Sequence, residues 1–211
     1  MWVAKVRALR YSIAMTRRPV IAEFYGKLCI AALLLIAGCA TGRQAASDVT
    51  TVYLVRHGEK STVVASDPDP ALTAAGRARA NALAIRLANA GITNVISTQW
   101  TRTRETAGPL ASGLGLTTEI VPTGGPAFAD STAAAVLRHR GGTILVVGHS
   151  NTIASVISAL GGPRVPDLCD NEHSKLFMMW ITKSQAPLIV REAYGVPDPA
   201  PDSACTVMRG R

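Results

Sequence analysis

TVYLVRHGEK, residues 51–60, sets an apolar run directly against arginine, histidine and glycine. TVYLV (51–55) is β-branched and apolar at successive positions, the pattern of a strand covered on both faces. TILVVGHS (143–150) repeats the design, a buried strand followed by glycine and histidine. Between them Thr73 can cap a helix over AAGRARANALAIRLANAG (74–91), with Leu83 and Leu87 in its apolar stripe and Gly91 as its end. NVIS (94–97) reads as a short strand, and TRTRETAGPLASGLG (101–115) as a helix that ends at Gly113 and Gly115 and can kink at Pro109. TTEIV (117–121) is a third strand, STAAAVLRHR (131–140) and NTIASVISALGG (151–162) are helices, and KLFMMWIT (175–182) and PLIVREAY (187–194) are two more strands. Alternation of strands with helices predicts an α/β domain, doubly wound, with a mainly parallel sheet and helices on both faces.

The chain has 211 residues, a formal charge of +8 and 48% hydrophobic residues, enough for one globular domain plus an accessory segment. LCIAALLLIA (28–37) supplies that segment, preceded by Arg17, Arg18 and Lys27 and followed by GCATG. As a helix rising about 1.5 Å per residue it is too short for a hydrocarbon core about 30 Å thick, and it reads as a signal-peptide core. IAGC (36–39) resembles the lipobox of bacterial lipoproteins. That resemblance implies a lipoprotein signal peptide over residues 1–38, with Met1 or Met15 as the start, and lipidation of Cys39. An ordinary secretory peptide or an uncleaved anchor is the alternative. Residues 39–50 read as a tether, 51–195 as the domain and 196–211 as a C-terminal tail. The expected place is the periplasmic face of a bacterial envelope, on the outer membrane if the cell is Gram-negative, because Ala40 gives no inner-membrane retention signal.

Loss of residues 1–38 removes Lys5, Arg7, Arg10, Arg17, Arg18, Lys27 and Glu23, leaving 16 basic against 13 acidic residues, a formal +3. The basic balance therefore belongs largely to the leader, and no basic patch interleaved with aromatics argues for nucleic acid as a partner. Of four cysteines, Cys169 and Cys205 remain in the domain. In an oxidising compartment they can form a bridge worth about 3 to 4 kcal/mol, or stay as two free thiols.

Open α/β sheets bind ligands beyond the carboxyl ends of their strands. LVRHG and VVGHS each place a histidine there, and ISTQWTRTRETA adds basic residues after the second strand. The three strand ends make an electropositive pocket suited to a dianion, with arginines as bidentate binders and a histidine as nucleophile.

These segments resemble the histidine phosphatase superfamily, also called phosphoglycerate mutase-like. VRHGE matches its Arg-His-Gly signature, LTAAGRARA its LTxxGxxQA segment, STQWTRTRETA its second-arginine segment and VVGHS its second histidine, together covering roughly residues 51–182. The resemblance implies that His57 is the nucleophile and carries a phosphohistidine, that Arg56 and Arg102 hold the phosphoryl oxygens, and that His149 donates a hydrogen bond to them. It implies no cofactor and no metal, and a phosphorylated small molecule or phosphoprotein as substrate. A neutral His57 presents one ring nitrogen while a backbone carbonyl such as that of Gly58 holds the other. Arg104 competes with Arg102, but the family spacing favours Arg102. His139 and His173 read as solvated, and Lys60 and Asn151 flank the motifs.

The chain departs from the family at the proton donor. Ser150 follows His149, which excludes an aspartate there. Between residues 103 and 148 the acids are Glu105, Glu119 and Asp130. Asp130, at a loop-to-helix junction, is the best placed, although aspartate there also serves as an N-cap. Glu59 is the alternative donor, and an acid-poor site would suit a substrate with a good leaving group. Only 46 residues separate Arg102 from His149, leaving no covering lid and favouring water as acceptor. The readings in order are a phosphatase, a mutase or phosphohistidine phosphatase, and a non-catalytic phosphate-binding lipoprotein.

Overall fold

A computed structural model of the chain describes residues 48–200. The segments assigned above to a signal peptide, to Cys39 and to Cys205 lie outside the described residues. Among the described residues no helix is long and apolar enough to cross a membrane.

The elements in chain order are β1 (Thr50–Arg56), α1 (Ala74–Leu87), β2 (Asn94–Ser97), α2 (Thr101–Gly113), β3 (Thr118–Ile120), α3 (Phe128–Arg138), β4 (Thr143–Gly148), α4 (Ile153–Ala159), β5 (Lys175–Ile181) and β6 (Leu188–Ala193). They form one six-stranded sheet in the order β3-β2-β4-β1-β5-β6. β1, β2, β3 and β4 run parallel. β5 and β6 run antiparallel to their neighbours, so the sheet is parallel on one side of β1 and antiparallel on the other.

β1 is apolar from Val52 to Val55 because it is central. Val52 and Leu54 enter a core with Ala133 and Val136 of α3 and Ile153, Val156 and Ile157 of α4. Tyr53 and Val55, on the opposite face by the two-residue period of a strand, enter a second core with Leu83 and Leu87 of α1 and Ala107, Leu110 and Ala111 of α2. Helices therefore cover both faces.

Thr73 caps α1 as its sequence predicts, its hydroxyl accepting from the Gly76 N–H at 3.0 Å. α1 stops at Leu87 rather than Gly91. Two turns of chain follow, and Gly91, at φ 71°, takes the left-handed position that closes them. α2 runs through Pro109. α3 begins at Phe128, three residues before the expected start, which puts Asp130 inside its first turn and leaves Ala127 at the cap.

The closest backbone approach ties α1 to the loop after β1. A Cβ on Gly76 would stand 2.3 Å from the Glu59 carbonyl oxygen, and one on Gly58 would stand 2.8 Å from the Gly76 oxygen. Only a pair of glycines lets these two backbones touch.

Candidate active site

β1 and β4 end side by side, and the His57 N–H donates to the Gly148 carbonyl at 3.0 Å. This carries both histidines past the sheet edge together, with ring centroids 5.3 Å apart and edge-on. His57 is fully buried. Its Nδ1 lies 2.7 Å from the Gly58 carbonyl oxygen. A carbonyl only accepts, so Nδ1 carries the proton and Nε2 keeps its lone pair. Nε2 is buried and has no hydrogen-bond partner among the described residues. Burial is the largest cause of a His57 pKa well below the ordinary histidine value, and His149, Arg56 and Arg102 add to it against the Gly58 bond. The ring is neutral where an ordinary histidine would already be charged.

Two guanidinium groups flank it. Arg56 is the last residue of β1 and is 3% exposed. Its Nη1 donates to the carbonyls of Cys169 at 2.7 Å and Glu172 at 3.3 Å, and its Nη2 lies 3.6 Å from the Asp170 carboxylate. Arg102 sits in the first turn of α2. Asp69 arranges that turn from the loop before α1, accepting from the Thr101 N–H at 2.8 Å and the Thr101 hydroxyl at 2.7 Å. The Asp69 carboxylate also stands 3.7 Å from Arg102 Nη1, and the guanidinium lies 5.0 Å from the Trp100 ring centroid. An aspartate distant in sequence thus satisfies an orphan N–H at the helix start and restrains the arginine beside it. The Nε atoms of both arginines are buried and, like His57 Nε2, have no partner among the described residues.

His149 is held by its own turn, its N–H donating to Thr152 Oγ1 at 2.8 Å, while its Nε2 is 3.2 Å from Thr98 Oγ1. Burial first, and then Arg102, Arg56 and Lys60, lower its pKa to about 3. A cavity of about 570 Å³ opens at Arg102 and His149, walled by Trp100, Thr123–Pro126 and Phe128, with Asn151 at its edge. Among the described residues no carboxylate lines it.

Arg56, His57, Arg102 and His149 are brought together, and the other two expected site residues are not. Asp130 faces a different cavity, with Ser155, Ser158 and Arg164, because its place in the first turn of α3 turns it toward α4. Glu59 points away from the His57 ring onto Arg79, whose Nε lies 3.0 and 3.1 Å from the two carboxylate oxygens and whose Nη2 is 2.7 Å from one of them. Burial alone would raise the Glu59 pKa, but the Arg79 hydrogen bonds outweigh it and hold the carboxyl below its ordinary range. A proton donor needs the opposite shift. Arg104 is exposed and bonds Thr101. Cys169 is disulfide-bonded, and Cys205, its expected partner, lies outside the described residues.

Sequence reasoning missed Asp69, His173 and Asp198. His139 is half-exposed and pairs with Glu119 at 3.0 Å, whereas His173 is buried, its Nδ1 2.9 Å from the His57 carbonyl oxygen. The start of the tail is not loose. Asp198 accepts from the N–H groups of His173 at 2.8 Å and Ser174 at 2.7 Å, and from the Ser174 hydroxyl at 2.7 Å.

Three buried neutral imidazoles set a dependence of stability on pH. His57, His149 and His173 all have pKa values lowered chiefly by burial, against an ordinary value of 6.5. The unfolded chain therefore takes up protons first as pH falls, so stability is full above about pH 6.5 and declines below it. Each histidine contributes a slope of at most about 1.4 kcal/mol per pH unit, and that of His149 continues to about pH 3. Glu59 and Asp198, with lowered pKa values, act in the same direction at lower pH, where protonation cancels their stabilisation. The Tm of the full-length protein is expected to fall steadily from pH 6.5 to 4.5; an unchanged Tm across that range would contradict neutral burial.

Comparison with known proteins agrees with this geometry. Residues 52–123 match the family model of the histidine phosphatase superfamily (branch 1). The probable phosphoglycerate mutase GpmB of Yersinia pestis (strain Pestoides F) is 41% identical over 70 residues, covering 31% of this chain and 33% of that protein. The counterpart in Yersinia pseudotuberculosis serotype O:1b matches equally. The chain thus spans about a third of the length of the curated relatives it matches. Among solved structures, the protein histidine phosphatase SixA complexed with tungstate superposes with a TM-score of 0.56 at 20% identity, over 68% of this chain and 96% of that one. A mycobacterial glucosyl-3-phosphoglycerate phosphatase gives 0.51 at 18% identity, over 63% and 90%. At those identities the structures show a shared α/β fold. The family match spans residues 52–123, about a third of the chain, and the solved structures share the α/β fold in which that segment lies.

Proposed function

We propose that this chain belongs to the histidine phosphatase superfamily as a metal-independent phosphatase, hydrolysing phosphate monoesters through a phosphohistidine on His57. The observation that carries the reading is the bare, buried Nε2 of a neutral His57 beside the unpartnered Nε atoms of Arg56 and Arg102. In the first step the Nε2 lone pair forms a bond to phosphorus as the ester P–O bond breaks. The leaving oxygen takes its proton from water. The transition state spreads charge over the equatorial phosphoryl oxygens, where fixed cations stabilise it. Arg56 and Arg102 supply that charge, and His149 can add a hydrogen bond. In the second step water attacks phosphorus, the P–N bond breaks, and phosphate leaves with His57 neutral again.

Asp69 and Asp170, the carboxylates beside the two arginines, are paired with them, and among the described residues none lines the cavity at Arg102 and His149. That arrangement favours substrates whose leaving group needs little help from an acid, aryl esters above alkyl esters. It also favours a second reading, a phosphohistidine phosphatase, because an imidazole departs from phosphorus readily. The test is chemical trapping with a phosphorus-labelled aryl phosphate, quenched during turnover of the full-length protein. The expected product is a label on His57 that survives alkali and is lost in acid. Turnover without such a label would overturn the reading.

A further inference from the structure

Most of the machinery around His57 comes from the strand ends already described, but one bond to it comes from elsewhere. The peptide unit between His57 and Gly58 is clamped at both polar atoms. Its N–H donates to Thr106 Oγ1 in α2 at 2.9 Å, and its carbonyl oxygen, that of His57, lies 2.9 Å from His173 Nδ1. The next carbonyl along the chain, that of Gly58, is the one that accepts from the His57 ring. A change in the first peptide plane is therefore transmitted directly to the group that decides which nitrogen of His57 is free.

The antiparallel register explains why an imidazole does this work. Val55 pairs with Leu176, so two residues further on His57 falls opposite Ser174. That pair is not a hydrogen-bonded one, because the His57 N–H is turned to Gly148 of β4 and the Ser174 carbonyl to the Tyr194 N–H after β6, while Asp198 takes the N–H groups of His173 and Ser174 and the Ser174 hydroxyl. Asp198 is also 3.3 Å from Lys175 Nζ and its side chain is 7% exposed. The His57 carbonyl is left to the His173 ring. A carbonyl accepts only, so His173 carries a proton on Nδ1, and the rings of His57 and His173 lie 6.0 Å apart.

We propose that His173, seated by Asp198, is a positioning residue for the nucleophile: its Nδ1–H fixes the His57–Gly58 peptide plane and so keeps the His57 proton on Nδ1 and the lone pair on Nε2. The rate arm of the test rests on the phosphatase reading, and the spectroscopic arm does not. Three variants of the full-length protein are compared with wild type: His173→Leu, which removes the donor; His173→Asn, whose amide nitrogen can replace it; and Asp198→Ala, which unseats the ring without deleting it. The readouts are kcat and KM for an aryl phosphate, and the nitrogen-15 NMR signature of the His57 ring.

The expected result for His173→Leu is a fall in kcat of about 10- to 100-fold, the scale of a misplacement on the order of 1 Å, with KM little changed. Its His57 ring should shift from a single Nδ1–H tautomer toward a mixture. His173→Asn should recover most of the rate and the tautomer, and Asp198→Ala should fall between. A wild-type rate and tautomer in His173→Leu would overturn the proposal, as would equal losses in the Leu and Asn variants. Should His173→Leu fail to fold, Asp198→Ala and His173→Asn decide it on the same readouts: a wild-type tautomer in Asp198→Ala, or a lost one in His173→Asn, overturns the positioning role. Should wild type show no His57-dependent hydrolysis, the phosphatase reading fails, and the tautomer comparison alone decides the role of His173.

Discussion

Replacing His57 with alanine is expected to lower aryl phosphate hydrolysis on the order of 10⁴-fold or more, the scale seen when a covalent nucleophile is removed. Among the residues gathered at the strand ends, His57 alone combines a lone pair fixed by a backbone carbonyl with complete burial. His149 is not held in the same way, since its Nε2 faces the Thr98 hydroxyl, which can donate or accept, and not a carbonyl that fixes the tautomer. Arg56 and Arg102 keep their supports at Cys169, Glu172 and Asp69 without the imidazole, so inorganic phosphate should still bind the variant within about 10-fold of wild type. Loss of a fully buried side chain also leaves a cavity and costs about 1 to 3 kcal/mol, so a melting curve must accompany the rate. Hydrolysis at the wild-type rate by a folded variant would end the phosphohistidine reading.

Gly76→Ala is expected to have the largest effect on stability, about 3 kcal/mol, at the upper end of what overpacking costs. The added Cβ would stand 2.3 Å from the Glu59 carbonyl oxygen and 2.9 Å from the Glu59 nitrogen, both backbone atoms that cannot rotate aside. That carbonyl is also anchored, accepting from the Thr73 N–H at 2.8 Å and the Thr73 hydroxyl at 3.2 Å. Relief requires α1 or the 58–59 backbone to shift, and the second shift moves the carbonyl that orients His57. Tm should drop by about 6 to 12 °C, and the rate should fall in protein that remains folded. Gly108→Ala is the control: its Cβ would meet nothing within 4 Å, it lies inside α2, and it should be neutral or slightly stabilising. Equal Tm values for the two variants would show that the close approach is not tight.

Elements whose character is local were legible in the sequence. β1, β2 and β4 announce themselves by apolar runs ending in polar residues, and Thr73 by its place before an apolar stripe. The same holds for Arg56, His57, Arg102 and His149, each of which lies at the end of a strand or the start of the helix after it. What escaped depends on partners distant in the chain. His173 looks solvated in NEHSK until the antiparallel register of β5 sets it beside His57. Asp69 and Asp198 sit in loops rich in proline and aspartate, where sequence offers no sign that each caps backbone more than 20 residues away. Asp130 misled for the reverse reason. A local cue, acid at a helix start, was correct about the helix and silent about which face of the sheet the helix covers.

Among the described strands the central one precedes the others in the chain. Residues 50–56 are made before both of their neighbours in the sheet, residues 143–148 and 175–181. Until residues 143–148 are made TVYLV has neither edge paired, the kind of segment that sticks to other chains. Assembly has to wait for contacts separated by about 90 and 120 residues, and such long loop closures slow folding. His57 follows directly on that strand, so it is made well before His149 and His173, which lie against it in the fold. The surroundings of His57 are complete only once residues 173 and 198 have been made, so assembly of the proposed site is tied to the order in which these segments are synthesised.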